Sequence, residues 1–189
     1  MPLDLSHFTH KVAALLGDAD TRLMPLAKES VARDQALTLR GTPARNLFPE
    51  ASSPEASLAG LLLYLGFWND AHEVAQNVGS TEGSYWHAIV HRMEPDASNS
   101  KYWFKRVGEH AIFPNLLKAA NAIVSTDPVG AMRLGSRWNP AAFVDFCEEA
   151  RQRPGSSQER VAMEIQQAEW ELLMDWCARQ LRGGQPSND

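Results

Sequence analysis

"SSPEASLAGLLLYLGFWNDAHEVAQNVGS", Ser52 to Ser80, decides the fold class. Ser53 is a residue type that caps helices, Pro54 suits the first helical position, and Glu55 favours the positive end of the helix dipole. Gly66 ends the apolar run. The same pattern returns at once, with Asn69 as cap and Gly79 as stop. Two helices joined by a short polar turn are expected here, with no alternating strand pattern between them.

The pattern continues in both directions. "STEGSYWHAIVHRME" opens at Ser80 or Thr81 and must stop at Pro95, because proline disfavours helix in the residue before it. "DASNSKYWFKRVG" offers Asp96 or Ser98 as cap and Gly108 as stop. "FPNLLKAANAIVSTDP" predicts a short amphipathic helix, and "NPAAFVDFCEEARQRPG" one capped by Asn139 with Pro140 inside. "SSQERVAMEIQQAEWELLMDWCARQLRGG" carries a capping box, Ser156 with Glu159, and an apolar stripe of Val161, Ile165, Ala168, Leu172 and Trp176. Two further helices are expected near Ser6–Leu16 and Leu26–Leu39, and a surface loop over Leu39–Pro54. The expectation is an all-α fold: one domain over residues 1–182, seven to nine helices packed as hairpins, and a disordered tail over 183–189. "GFWNDAHEVAQ" and "EPDASNSKYWFKRV" are alike enough to suggest a weak, tetratricopeptide-like repeat, although only two copies occur.

Bulk properties exclude several function classes. The chain has 189 residues, 44% apolar and 22% charged, with a net charge of −5. An acidic balance argues against a dedicated nucleic-acid binder. The longest apolar run, Leu58 to Trp68, is too short to cross a bilayer, and "MPLDLSHFTHK" does not read as a secretory signal. Cys147 and Cys177 have no CxxC spacing and read as reduced, buried residues of a cytoplasmic protein. No phosphate loop or serine nucleophile elbow occurs. Monomer and homodimer both stay open.

Chemistry concentrates in "GSYWHAIVHRMEPDASNSKYWFKRVGEH", Gly83 to His110. At about 100° per residue, Trp86, Ile89, Val90 and Met93 form an apolar stripe, and His87, His91 and Glu94 a polar one beside it. Histidines at i and i+4 present two imidazoles to one ion, a divalent metal such as zinc. His72 and His110 are the candidates for a third ligand, with Glu73 as a further option. Glu94 and Asp96 are candidates for a catalytic base or for orienting a ligand. The glutamate of HExxH is absent, because Ala88 follows His87, and structural histidines bonded to carbonyls are the plainer reading. Arg92, Tyr102 and Arg106 are candidates for holding an anionic ligand, or else Arg92 and Arg106 pair with Glu94, Asp96 or Glu109. Lys101 and Lys105 are expected in solvent, and Asp96 and Asn99 as turn and capping residues.

The run Trp86-His87-x3-His91-Arg92-x-Glu94-x-Asp96-x2-Asn99-x-Lys101-Tyr102-Trp103-Phe104-x-Arg106-Val107-Gly108 resembles the signature of a family of uncharacterised bacterial and fungal proteins. "WNPAAFVDFCEEA" and "QQAEWELLMDWC" carry the resemblance further. It implies an all-helical fold and no particular reaction. Two functions are compatible with these residues. One is a non-catalytic module that binds a partner protein or small ligand near the 83–110 hairpin. The alternative is a metal-dependent, hydrolase-like enzyme built on His87 and His91.

Overall fold

Caps set most helix boundaries in the computed structural model, which describes residues 5, 8–17, 23–28, 39 and 41–179. Nine α-helices and no strand occur among them. They are α1 (His10–Gly17), α2 (Ala44–Leu47), α3 (Pro54–Tyr64), α4 (Trp68–Asn77) and α5 (Thr81–Met93). After these come α6 (Ala97–Val107), α7 (Phe113–Thr126), α8 (Pro140–Arg151) and α9 (Ser157–Ala178). Ser80, Asp96, Asn139 and Ser156 each accept a hydrogen bond from a backbone N–H in the first turn of their helix.

Tertiary packing moves the boundaries that caps do not set. Helix α4 begins at Trp68 rather than after Asn69. Phe67 and Trp68 are buried, and the Trp68 indole N–H donates to Val90 O at 3.2 Å. Asn69 instead accepts from Lys28 Nζ. The stretch Leu39–Pro54 is not a surface loop either: Leu39, Leu47, Phe48 and Ala51 are buried. Ser52 N and Ser53 N donate to Arg179 O and Cys177 O, fastening the segment to the end of α9. The helix expected over Leu26–Leu39 falls mostly outside the described residues, as does the tail over 183–189. Over 23–28 the chain is non-helical, and Lys28 N donates to Met93 O.

Helices α3 and α4 form one hairpin and α5 and α6 the next, with α4 against α5 joining them. Helix α9 runs across α3, α7 and α8, and α6 packs on α8. The closest approach of α3, α5 and α9 is at Gly60. A Cβ there would stand 2.5 Å from the Trp86 ring, and Gly60 O accepts from Trp170 Nε1 at 2.9 Å. Only glycine lets the Trp86 ring lie this close to the α3 backbone.

Helix α5 is therefore central, with ten of its thirteen residues buried. His87 and His91 share one side of α5 and are buried there, Arg92 is buried as well, and Glu94 is exposed. The stripe on α9 also differs from expectation. After Val161 and Ile165 it continues through Glu169, Leu173 and Cys177, not through Ala168, Leu172 and Trp176. Two polar side chains, Gln166 and Glu169, lie on that buried face because α5 supplies their partners. Lys101, expected in solvent, pairs with Asp145 and ties α6 to α8. Burial pushes the Cys147 thiol up to about 12 and the Cys177 thiol far above its ordinary value, so both sulfurs are neutral. No helix among the described residues is long and apolar enough to cross a membrane.

Candidate metal centre

Three imidazoles meet where α4 packs on α5. His87 and His91 are one turn apart on α5, so their side chains lean the same way. The aromatic packing of Trp68 on Val90 brings α4 close enough for His72 to face them. His72 Nε2 lies 2.8 Å from His87 Nε2, and His91 Nε2 lies 3.0 Å from His87 Nε2. His87 and His91 are buried, while His72 is half-buried and stands on the solvent side.

Hydrogen bonding serves this arrangement only by sharing one nitrogen between two partners. The Nε2 of a neutral imidazole carries either one proton or one in-plane lone pair, so it serves one in-plane partner. His87 Nε2 faces two. Both contacts are then met only by sharing, with two N–H groups on one His87 lone pair or one His87 N–H between two lone pairs, so at least one arm is bent off its axis. Charging His87 is not the remedy, because burial first, and then the neighbouring His91 and His72, push it down to about 4. His91 is lowered for the same reasons, burial first and then His72, against the opposing pull of Asp96 and Glu94. His87 Nδ1 is also buried without a hydrogen-bond partner.

One cation satisfies all three lone pairs at once. With Zn–N near 2.1 Å, two ligands subtend about 3.0 Å at a right angle and about 3.4 Å at the tetrahedral angle. The separations of 2.8 and 3.0 Å are near the right-angle value, and the three ligand atoms all lie within 4.8 Å of one another, so the three residues could hold one ion. In that state each Nδ1 carries a proton. His91 Nδ1 faces Glu94 Oε2 at 3.7 Å and Asp96 Oδ2 at 3.9 Å, the carboxylate–histidine arrangement that raises ligand basicity.

Rings wall the site. Trp103 lies over His87 with centroids 4.1 Å apart, and Trp68 meets His72 edge-on at 5.0 Å. Arg106 lies over Trp103, and Lys28 over Trp68. Asn99 comes from the first turn of α6, because Pro95 breaks the helix and Asp96 caps the next one. Ser100 Oγ donates to Ala88 O and holds α6 against α5 at this level.

The other residues singled out in the sequence are distributed differently. His110 is apart from the three: its Nδ1 accepts from Ile112 N, its Nε2 is 4.0 Å from Glu82, and Tyr85 and Trp176 pack on it. Its backbone leads into α7, away from α4, so it cannot join His72. Arg92 does not face the histidines. It is fully buried, pairs with Glu169, and donates through Nε to Gln166 Oε1. Burial opposes its charge, but the Glu169 carboxylate more than offsets this and keeps Arg92 protonated. The Tyr85 hydroxyl donates to the other oxygen of Glu169 at 2.9 Å. Tyr102 is exposed and touches Trp103 edge-on, which leaves Tyr102 and Arg106 on the outer side of that indole. Glu73 is exposed on α4, and Glu109 pairs with Arg137 rather than with Arg92 or Arg106.

Sequence reasoning did not single out Glu169, Gln166 or Lys28. Glu169 carried a signal, since it lies four residues beyond Ile165 on the apolar stripe. Comparison with family models, curated proteins and solved structures finds no match for this chain. The family resemblance of the 86–108 run thus rests on the residues that carry it.

Proposed function

We propose that this chain is a metal-dependent helical protein that binds one divalent ion, such as zinc, through His72, His87 and His91. The observation that carries the reading is the meeting of one imidazole nitrogen from each of three histidines, with His87 Nε2 facing both of the others. A metal ion with an open side lowers the pKa of a bound water toward neutrality and polarises a substrate oxygen. Hydrolysis-type chemistry on a small anionic substrate follows. Arg106 and Tyr102, on the outer face of Trp103, are suited to meet the negative group. Glu94 and Asp96 orient His91 through Nδ1 rather than act as the base. Buried, reduced thiols suit a cytoplasmic setting, and an acidic chain suits a small-molecule ligand better than nucleic acid.

Elemental analysis of protein purified without chelator tests this. About one equivalent of Zn, Fe, Mn or Ni per chain is expected, and His87→Ala should lose it. No metal at stoichiometric level, together with no uptake on zinc titration, ends the reading.

A second reading, a module that binds a partner protein or small ligand without catalysis, is favoured by a separate cleft of about 450 Å³. It is lined by Glu109, Met132, Arg133, Arg137, Trp138 and neighbouring residues. The hairpin pairs α3/α4 and α5/α6 would then serve as a tetratricopeptide-like scaffold. Soaking or titration with small carboxylates and phosphates that perturbs Trp138 fluorescence, with the histidine site unaltered, would favour it.

A further inference from the structure

Asn99 faces the histidine cluster across the Pro95 turn. Its backbone N–H is bonded to Asp96 Oδ1 at 3.1 Å, so the cap does not use its side chain. The side-chain Nδ2 lies 3.2 Å from His91 Nε2 and 3.4 Å from His91 Nδ1. Near-equal distances to both ring nitrogens put the amide over the imidazole rather than on either in-plane lone-pair axis. A group in that position does not compete with an ion for Nε2. It overlooks the ion's side of the ring.

An ion on Nε2 and a proton on Nδ1 leave His91 no lone pair to offer this amide. Nε2 is then committed to the metal, and Nδ1 holds a proton directed at Glu94 and Asp96. The Trp68 indole donor is already used on Val90 O. Asn99 is half-buried, and an oxygen bound to the ion would be an acceptor on the side of the ring that Nδ2 overlooks. Building on the metal reading above, we infer that Asn99 Nδ2–H donates to the metal-bound oxygen and favours hydroxide over water there. Hydroxide is the stronger acceptor, so a fixed N–H donor stabilises it more than it stabilises water. In the step, a bound water loses one proton to solvent past the half-exposed His72, and its oxygen stays on the metal. The same donor then meets negative charge developing on that oxygen's partner during attack.

Cobalt(II) is the probe, because its visible spectrum reports both binding and ionisation of a bound water. The full-length chain is titrated with cobalt, and the spectrum is followed against pH for the wild type, Asn99→Ala and Asn99→Asp. The expected result for Asn99→Ala is cobalt affinity within about threefold of the wild type, with the water's ionisation midpoint raised by about one pH unit. Asn99→Asp keeps the helix start and adds a carboxylate, so cobalt should bind about tenfold more tightly while the midpoint still rises. A merely structural role for Asn99 would lower stability and leave the midpoint of the loaded protein where it was. An unchanged midpoint in both variants overturns the inference and leaves the metal reading standing. No cobalt uptake by the wild type overturns the metal reading, and the inference with it.

Discussion

Helix α5 carries two buried polar clusters on opposite sides, and they are built to different standards. On one side Arg92 meets Glu169 and Gln166, Tyr85 donates to Glu169, and Gln166 Nε2 donates to Pro25 O at 2.8 Å. The Arg92 guanidinium also lies 4.6 Å from the Phe143 ring centroid. Here each charge has an opposite charge, and the cluster is electrically closed. On the other side three imidazole nitrogens meet with no acid between them, and His87 Nε2 must serve two neighbours at once. In the first cluster only Arg92 Nη1 lacks a hydrogen-bond partner, and its charge is already balanced by Glu169. The second could hold a cation. The first cluster is fully enclosed, while the second reaches the half-buried His72 at its edge, and on the metal reading that is the difference between a polar group for folding and one for binding.

The largest test of this contrast is Arg92→Ala. It leaves Glu169 charged and buried without its partner, and chemical denaturation should find the protein less stable by about 3–5 kcal/mol. The folded fraction should still take up metal. If Arg92→Ala instead abolishes metal uptake at full foldedness, the two clusters are not separate.

Acid should act on the histidine side. A buried histidine whose folded value lies below 6.5 leaves stability intact above that pH. Stability then falls as pH drops from 6.5 toward the folded value, because the unfolded chain takes up the proton first. For His87 that window runs from 6.5 down to about 4, which is about 3 kcal/mol at most at roughly 1.4 kcal/mol per unit. His91 and His110 shift in the same direction, burial being the leading cause for each. Thermal melts of metal-free protein should show the loss across that window. His87→Gln should flatten part of it, and an unchanged slope would count against a neutral buried His87.

Zinc should add slightly less. At about a hundred times its Kd, an ion that binds only the folded chain raises stability by about 2.7 kcal/mol. The wild type should gain this, and His72→Ala and His87→Ala should not. A gain that survives in both variants would move the ion away from this site. Glu94→Gln is expected to weaken zinc by about tenfold, read by competition with a chromophoric chelator, with stability of the metal-free chain nearly unchanged. Lys101→Ala, which removes a surface pair outside both clusters, should cost less than about 1 kcal/mol and leave metal binding alone. It gives the baseline for an ordinary ion pair on this scaffold.

Much of the fold was legible because caps act locally. Ser80, Asp96, Asn139 and Ser156 announce their helices within four residues, and Pro54 and Pro140 mark first turns. Boundaries set by packing were less legible. Nothing local to Trp68 says that its indole will bond Val90 and pull the start of α4 ahead of Asn69. The site was legible in part for the same reason. His87 and His91 share a helix face by spacing alone. Choosing His72 over His110 requires knowing that α4, and not the segment before α7, lies beside that face. Arg92 was misjudged because its partners are 74 and 77 residues away, beyond any local pattern. Glu169 falls on the apolar stripe by spacing, but nothing local says that Arg92 will be its partner there.

The unequal burial of the three histidines has a kinetic consequence. His87 and His91 belong to α5, the most enclosed helix, while His72 belongs to α4, which buries only Trp68, Ala71 and Ala75. Local opening of α4 needs far less free energy than global unfolding. A bound ion would then leave by the route on which α4 lifts, and its residence time would follow the opening rate of that one hairpin arm. Amide exchange in α4 should slow when the ion binds, while exchange in α5, already limited by global unfolding, should change only as overall stability does.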